Sequence, residues 1–187
     1  MMPSSIPSAE TTKALQAASL FAVSAASGAT LGLSFFVVPT LLEAPTPLML
    51  HLWERTLLRG RNILAPIDLL SSLGFASLAI RLSRAAASSS SVPSRCYGAA
   101  AVLAASVVPY TLLVVMPTNR KLLRRTELAR ALGPAAAAAA ADDDDAVRPA
   151  DEPESSKSLV DHWGMLNLGR SALLLVSAAL GFYASSL

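Results

Sequence analysis

From Ala14 to Leu42 the chain runs 29 residues without a single charged side chain. A helix needs about 20 apolar residues to cross a bilayer, because no water is present there to satisfy backbone N–H and C=O groups. This run therefore predicts a transmembrane helix with room for tilt. Composition agrees: 53% of residues are hydrophobic, 15% are charged, and mean hydropathy is +0.50. A typical soluble domain is roughly 25% charged. A signal peptide cut after Val23-Ser24-Ala25 is the competing reading. The apolar run continues far beyond that point, which suits a retained helix. Gly28 and Gly32, with Ser24 one turn earlier, form a small-residue stripe expected to pack inside a helix bundle.

Three further apolar segments follow. Residues 63–80 predict a second span that contains one acid, Asp68. Residues 96–117 predict a third, with Pro109 and Pro117 expected to kink or stop it. Residues 163–187 predict a fourth. Between the first two lies a polar connection, residues 43–62. Within it, Leu48 to Leu58 has helical apolar spacing and predicts a short interfacial helix. After the third span the chain passes through seven alanines, four aspartates and a Pro/Glu/Ser stretch. Gly133-Pro134 interrupts any helix there, and residues 133–157 are expected to be a disordered insertion. The expected architecture is all-α: one membrane domain, residues 1–187, built as a four-helix bundle.

Span parity puts the first and third loops on one side, with ten basic residues against four on the other. Those loops are accordingly expected to be cytosolic. The same parity gathers His51, Trp53, Asn119, Arg120, His162, Trp163, Asn167 and Arg170 at one end of the bundle. Any polar site is expected there. The net charge of +2 gives no argument for nucleic acid, and the lone Cys96 excludes an intramolecular disulfide.

Trp163, Asn167 and Arg170 recur at i, i+4 and i+7, so they share one helix face. Arg170 lies roughly 10 Å deeper than Trp163. A buried arginine in lipid needs a partner or a route to water. Snorkelling toward headgroups is one answer. Pairing with Asp68, which enters the second span from the same side to similar depth, is the other, directly or through Asn167. Trp53 and Trp163 also suit an interfacial belt. His51 and His162 are the residues able to titrate near neutral pH without a large shift. No clustered third ligand accompanies them, so no metal site is expected. The sequence has no phosphate loop, Cys-x-x-Cys, serine-nucleophile or haem-binding pattern.

The succession SGATLGLSFFVVPTLL, LHLWERTLLRG, APIDLLSSLG, VVPYTLLVVMPTNRKLL and WGMLNLGRSALLLVSAALGF resembles the anthrone oxygenase family. The likeness covers nearly the whole chain apart from its tails and the Ala/Asp insertion. Its most specific parts are Pro117-Thr118-Asn119-Arg120 and the Trp163, Asn167, Arg170 set. Asp68 is not part of that pattern. The resemblance implies a small four-span membrane enzyme that oxidises an anthrone-type aromatic polyketide to an anthraquinone with O2, without flavin, haem or another cofactor. It implies a base, His51 or His162. Arg170, Asn167 and Asn119 would hold the developing oxyanion, Trp53 and Trp163 would stack on the substrate, and Arg120 would lie beside it. It also suggests an internal eukaryotic membrane, and leaves the oligomeric state open. The alternative the residues allow is a non-catalytic membrane bundle that scaffolds other proteins. A transport path fits less well, since the polar groups gather at one end and no inverted repeats are visible.

Overall fold

The structure, a computed structural model, describes residues 9–85, 92–139 and 144–187. It is all-α. Helix α1 spans Ala9–Gly32, then a π-helical turn, Leu33–Val37, leads into α2, Val38–Leu42. Helix α3 covers Thr46–Ala85 and α4 covers Val92–Tyr110. A second π-turn, Thr111–Val115, leads into α5, Met116–Ala139. After a 3-10 turn at Asp144–Ala146, α6 runs over Ser156–Ser186. Four helical stretches are long and apolar enough to cross a membrane: Ala9–Leu42, Thr46–Arg84, Val92–Gly133 and Ser156–Ser186.

The two π-turns have a common cause. Proline has no N–H, and its ring crowds the carbonyl four residues back. Pro39 crowds Phe35 and Pro117 crowds Leu113; each carbonyl sits in the middle of its π-turn. Widening the turn relieves the clash without breaking the helix.

The segment Leu48–Leu58 is not a separate interfacial helix. It is the first part of the 40-residue α3, which continues through Arg59-Gly60-Arg61-Asn62. One glycine costs only about 1 kcal/mol in a helix, and the polar neighbours are compatible with helical backbone. Chain reversal occurs instead at Glu43–Pro45, with Pro47 in the first turn of α3, where its missing N–H is harmless. Gly133 breaks α5 as expected, at φ +76°. Residues 144–157, expected to be disordered, hold defined partners, described below. Residues 140–143 of that insertion lie outside the described residues. The Gly28/Gly32 stripe also differs from expectation. A Cβ on Gly28 would meet open space, while the buried face of α1 carries Ser19, Val23, Ala26, Ser27 and Thr30.

The chain divides into two compact units, and each of the four long helical stretches contributes to both. The first comprises residues 1–27, 66–107 and 172–187. Its core is Val23, Phe75, Leu78, Tyr97, Leu174 and a set of alanines, with Phe75 stacked on Tyr97 at 6.0 Å. Its polar groups join helices to helices. The hydroxyls of Ser72 and Ser177 donate to the carbonyls of Ala101 and Ala100, and Ser94 to that of Ala79, at 2.8–3.0 Å. The second unit comprises residues 28–65 and 108–171. Its core is larger in side-chain size: Met49, Leu50, Trp53, Val115, Leu122, Val160 and Trp163.

Candidate functional site

All eight polar or aromatic residues singled out above, His51 through Arg170, fall in the second unit. They divide by burial. Trp53 and Asn167 are fully buried, with Trp163 at 2% and Asn119 at 4% exposure. Arg170 is half-buried, whereas His51, Arg120 and His162 are exposed. Asp68, 3% exposed, belongs to the first unit.

The buried members make a connected set. Trp53 and Trp163 meet edge to face, centroids 6.0 Å apart at 82°. One turn further along α6, the Asn167 amide donates to the Trp163 carbonyl at 2.9 Å, and Arg170 donates to the Asn167 oxygen at 3.4 Å. Asn167 thus ties the arginine to the tryptophan through a single carboxamide. Asn119 stands on α5 between Val115 and Leu122, four residues before and three after it. Both pack in the cluster that holds the two tryptophans, so the same face of α5 carries Asn119 toward them.

Close helix approach fixes the α6 strand of this set. Tyr110, at the end of α4, donates to the Leu166 carbonyl at 3.1 Å. Its hydroxyl occupies the space a Cβ on Gly169 would need. Only glycine lets the phenol reach that carbonyl, one residue before Asn167. In the first π-turn, Ser34 donates to the Gly164 carbonyl at 2.7 Å.

The sequence reading missed Arg125. In sequence it is one of the ten basic residues of the first and third loops, yet its side chain is fully buried. Its Nε and Nη2 donate to one Glu152 oxygen at 3.1 and 3.0 Å. Nη1 reaches Ser156 Oγ at 3.0 Å, and Nη2 also reaches the Glu154 carbonyl at 2.7 Å. Around it, Lys121 pairs with Glu154 and Arg124 with Asp151. Asp144 accepts the Ser156 N–H and so caps α6. The Lys121 ammonium, hydrogen-bonded to Glu154, holds that carboxyl below its ordinary range. In sequence the two halves show only as charges of opposite sign, basic on α5 and acidic over residues 144–154, with nothing local to pair them.

Neither histidine joins the buried set. His51 and Trp53 are two residues apart, so they project to different sides of α3. His51 lines a surface groove of about 390 Å³ with Pro47, Leu48, Thr126, Ala129, Arg130 and Gly133. Arg130 in turn pairs with Glu54 at 2.7 Å. Thr126 and Ala129 continue the α5 stripe that carries Asn119 and Leu122, so the groove begins roughly 10 Å along the helix from Asn119. Among the described residues, no group of three or more His, Cys, Asp or Glu side chains is arranged to hold a metal ion.

Residues 53–180 match the family described as anthrone oxygenase. That stretch opens on Trp53 and contains Asn119, Trp163, Asn167 and Arg170. The chain is 29% identical over 173 residues to anthrone oxygenase AgnL2 of Paecilomyces divaricatus, covering 91% of this chain and 94% of the relative. It is 30% identical over 163 residues to anthrone oxygenase encC of Aspergillus fumigatus, covering 81% of each. No solved structure matches. A family match across two thirds of the chain, two relatives matched over most of their length and four candidate membrane spans converge: the chain belongs to the anthrone oxygenase family.

Proposed function

We propose that the protein oxidises an anthrone-type aromatic polyketide to the anthraquinone with O2, by way of the substrate's own enolate. The observation that carries this reading is the family match, because the stretch it covers contains the whole buried aromatic and polar set. The anthrone methylene gives up a proton to form an aromatic enolate, which is electron-rich enough to react with O2 directly. A carbon–oxygen bond forms at that carbon, giving a hydroperoxide. Loss of water from it leaves the second carbonyl. One anthrone and one O2 thus become one anthraquinone and one water.

The enolate needs a positive group near its oxygen in a site from which water is excluded. Arg170, held by Asn167, is the proposed source of that charge. Trp53 and Trp163 wall the site, and Asn119 and Arg120 complete the substrate contacts. His51 is the proposed proton acceptor, receiving the proton through water in its groove; His162 is the alternative. The proposed orientation puts the first and third loops on the cytosolic side of an internal membrane, where a flat apolar substrate and O2 both concentrate.

Membranes carrying the full chain should accelerate anthraquinone formation above the spontaneous rate. Arg170→Ala should cut that acceleration by about a hundredfold or more at normal expression. His51→Ala should lower it, while His162→Ala leaves it near wild type. The reverse result moves the base to His162, and full activity in all three variants removes the mechanism. Asp68→Asn should lower thermal stability if Asp68 and Arg170 pair; no change in stability or turnover ends that pairing.

A further inference from the structure

Among the described residues, the buried polar atoms of the second unit without a hydrogen-bond partner include Trp53 Nε1, a donor, and Asn119 Oδ1, an acceptor. Their side chains are 0% and 4% exposed. Leaving either unsatisfied costs about 1–3 kcal/mol, and such groups are rare in folded proteins. They are also opposite in kind. The Trp53 ring already meets Trp163 edge to face and packs among Val115, Leu122 and the rest of the core, which leaves its N–H as the part with no role. Asn119 projects from the α5 face that Val115 and Leu122 present to the same cluster.

We infer that these two atoms read the polar edge of the substrate: the Trp53 N–H donates to a substrate carbonyl or enolate oxygen, and the Asn119 carbonyl accepts from a phenolic O–H. This rests on the oxygenase reading and deepens it. It changes two assignments. Trp53 acts through its nitrogen and not as a stacking face. The unsatisfied atom of Asn119 is its oxygen, an acceptor that repels an oxyanion but suits a neutral ring hydroxyl, so it selects substrates that keep that hydroxyl free. Arg170 is left as the charge that balances the enolate.

The test uses an anthrone bearing a ring hydroxyl and the same compound O-methylated, with the full chain in membranes and the spontaneous rate subtracted. Wild type should prefer the free phenol by about tenfold or more, since a site built to accept an O–H rejects its ether. Asn119→Leu should abolish that preference, chiefly by slowing the phenol. Trp53→Phe keeps the ring and removes the N–H. It should lower kcat/KM about tenfold for both compounds and keep the preference intact. A preference that survives Asn119→Leu, or Trp53→Phe with unchanged kcat/KM, overturns the inference. The matching hydroxylated and methylated anthraquinones, titrated by tryptophan fluorescence quenching, give a second readout free of turnover. No acceleration of either anthrone, together with Asn119-dependent discrimination in binding, would sink the oxygenase reading alone. Normal acceleration with no Asn119-dependent discrimination in rate or binding would sink this inference alone.

Discussion

The two units are made from the same four helical stretches and differ in the weight they give to serine bridges and to buried charge. In the first unit, serines bridge helices by donating to backbone carbonyls: Ser72 to Ala101, Ser94 to Ala79, Ser177 to Ala100. Its core is small-sided, with alanines at 100, 101, 104, 178 and 184. The second unit has such hydroxyl-to-carbonyl bonds too, from Ser34 to Gly164 and Tyr110 to Leu166, and adds buried charge and paired aromatic rings. It holds Arg125 with its carboxylates, the Trp53–Trp163 pair, the Asn167–Arg170 contact, and both π-turns. Hydroxyl-to-carbonyl contacts between small-sided helices are what a scaffold needs, because they add no charge to desolvate. Buried charges and orphaned donors oppose packing and persist where a site requires them or where a partner compensates. The contrast sets a unit held mainly by serine bridges and small side chains beside the unit that holds the proposed site.

The largest expected break in this contrast is at Arg125. Arg125→Met leaves Glu152 and the Glu154 carbonyl without their donor, and removing one partner of a buried pair costs about 3–5 kcal/mol. Thermal unfolding in detergent should show a large fall in Tm. Limited proteolysis should cut first between residues 144 and 156, the segment that the arginine holds. A Tm within a degree or so of wild type would mean the ion cluster is decoration.

A smaller loss is expected in the first unit. Ser177→Ala removes one bond to the Ala100 carbonyl. Interhelical hydrogen bonds in membrane bundles average about 0.6 kcal/mol, so the shift in Tm should be several times smaller than for Arg125→Met, with turnover unchanged. If Ser177→Ala instead destabilised as much as Arg125→Met, serine bridges would be more than glue and the contrast would lose its basis.

Much of the fold was legible because hydropathy and helical period are local properties. The 29 uncharged residues announce a span without reference to anything else. Trp163, Asn167 and Arg170 share a face by spacing alone, and the Asn167 bridge between them follows from that spacing. What was not legible depends on contacts between distant segments. Gly28 and Gly32 have the spacing of a packing stripe, yet the neighbouring helices cover Val23, Ala26 and Thr30. His51 and Trp53 looked like one constellation because they are near in sequence, and helical geometry sends them apart. Asp144, Glu152 and Glu154 read as parts of a polar insertion, since acidic, alanine-rich and proline-rich composition argues for disorder. Their partners, Arg125 and Lys121, lie more than fifteen residues earlier, beyond the reach of any local pattern.

The smallest predicted effect concerns the edge of that cluster. Lys121 donates to both oxygens of Glu154 at 3.0 and 3.1 Å, with both side chains partly open to water. This bond is the leading cause of the lowered Glu154 pKa, followed by a backbone hydrogen bond to the same carboxylate. A carboxyl whose folded value is depressed adds stability that is fully present above its ordinary titration range. That stability fades as pH falls through the lowered value. Acid should therefore loosen the 144–156 segment, and Lys121→Met should flatten that part of the pH dependence while leaving neutral-pH stability nearly unchanged, as expected for an exposed pair screened by solvent. Hydrogen exchange of the Glu154 to Ser158 amides, followed from neutral to acid pH in both proteins, reads it directly. Equal acid sensitivity in wild type and Lys121→Met would remove the Lys121–Glu154 pair as the source of the acid response. The buried arginine would then be the whole of the clamp, and the comparison between the units would narrow to that one side chain and the aromatic pair.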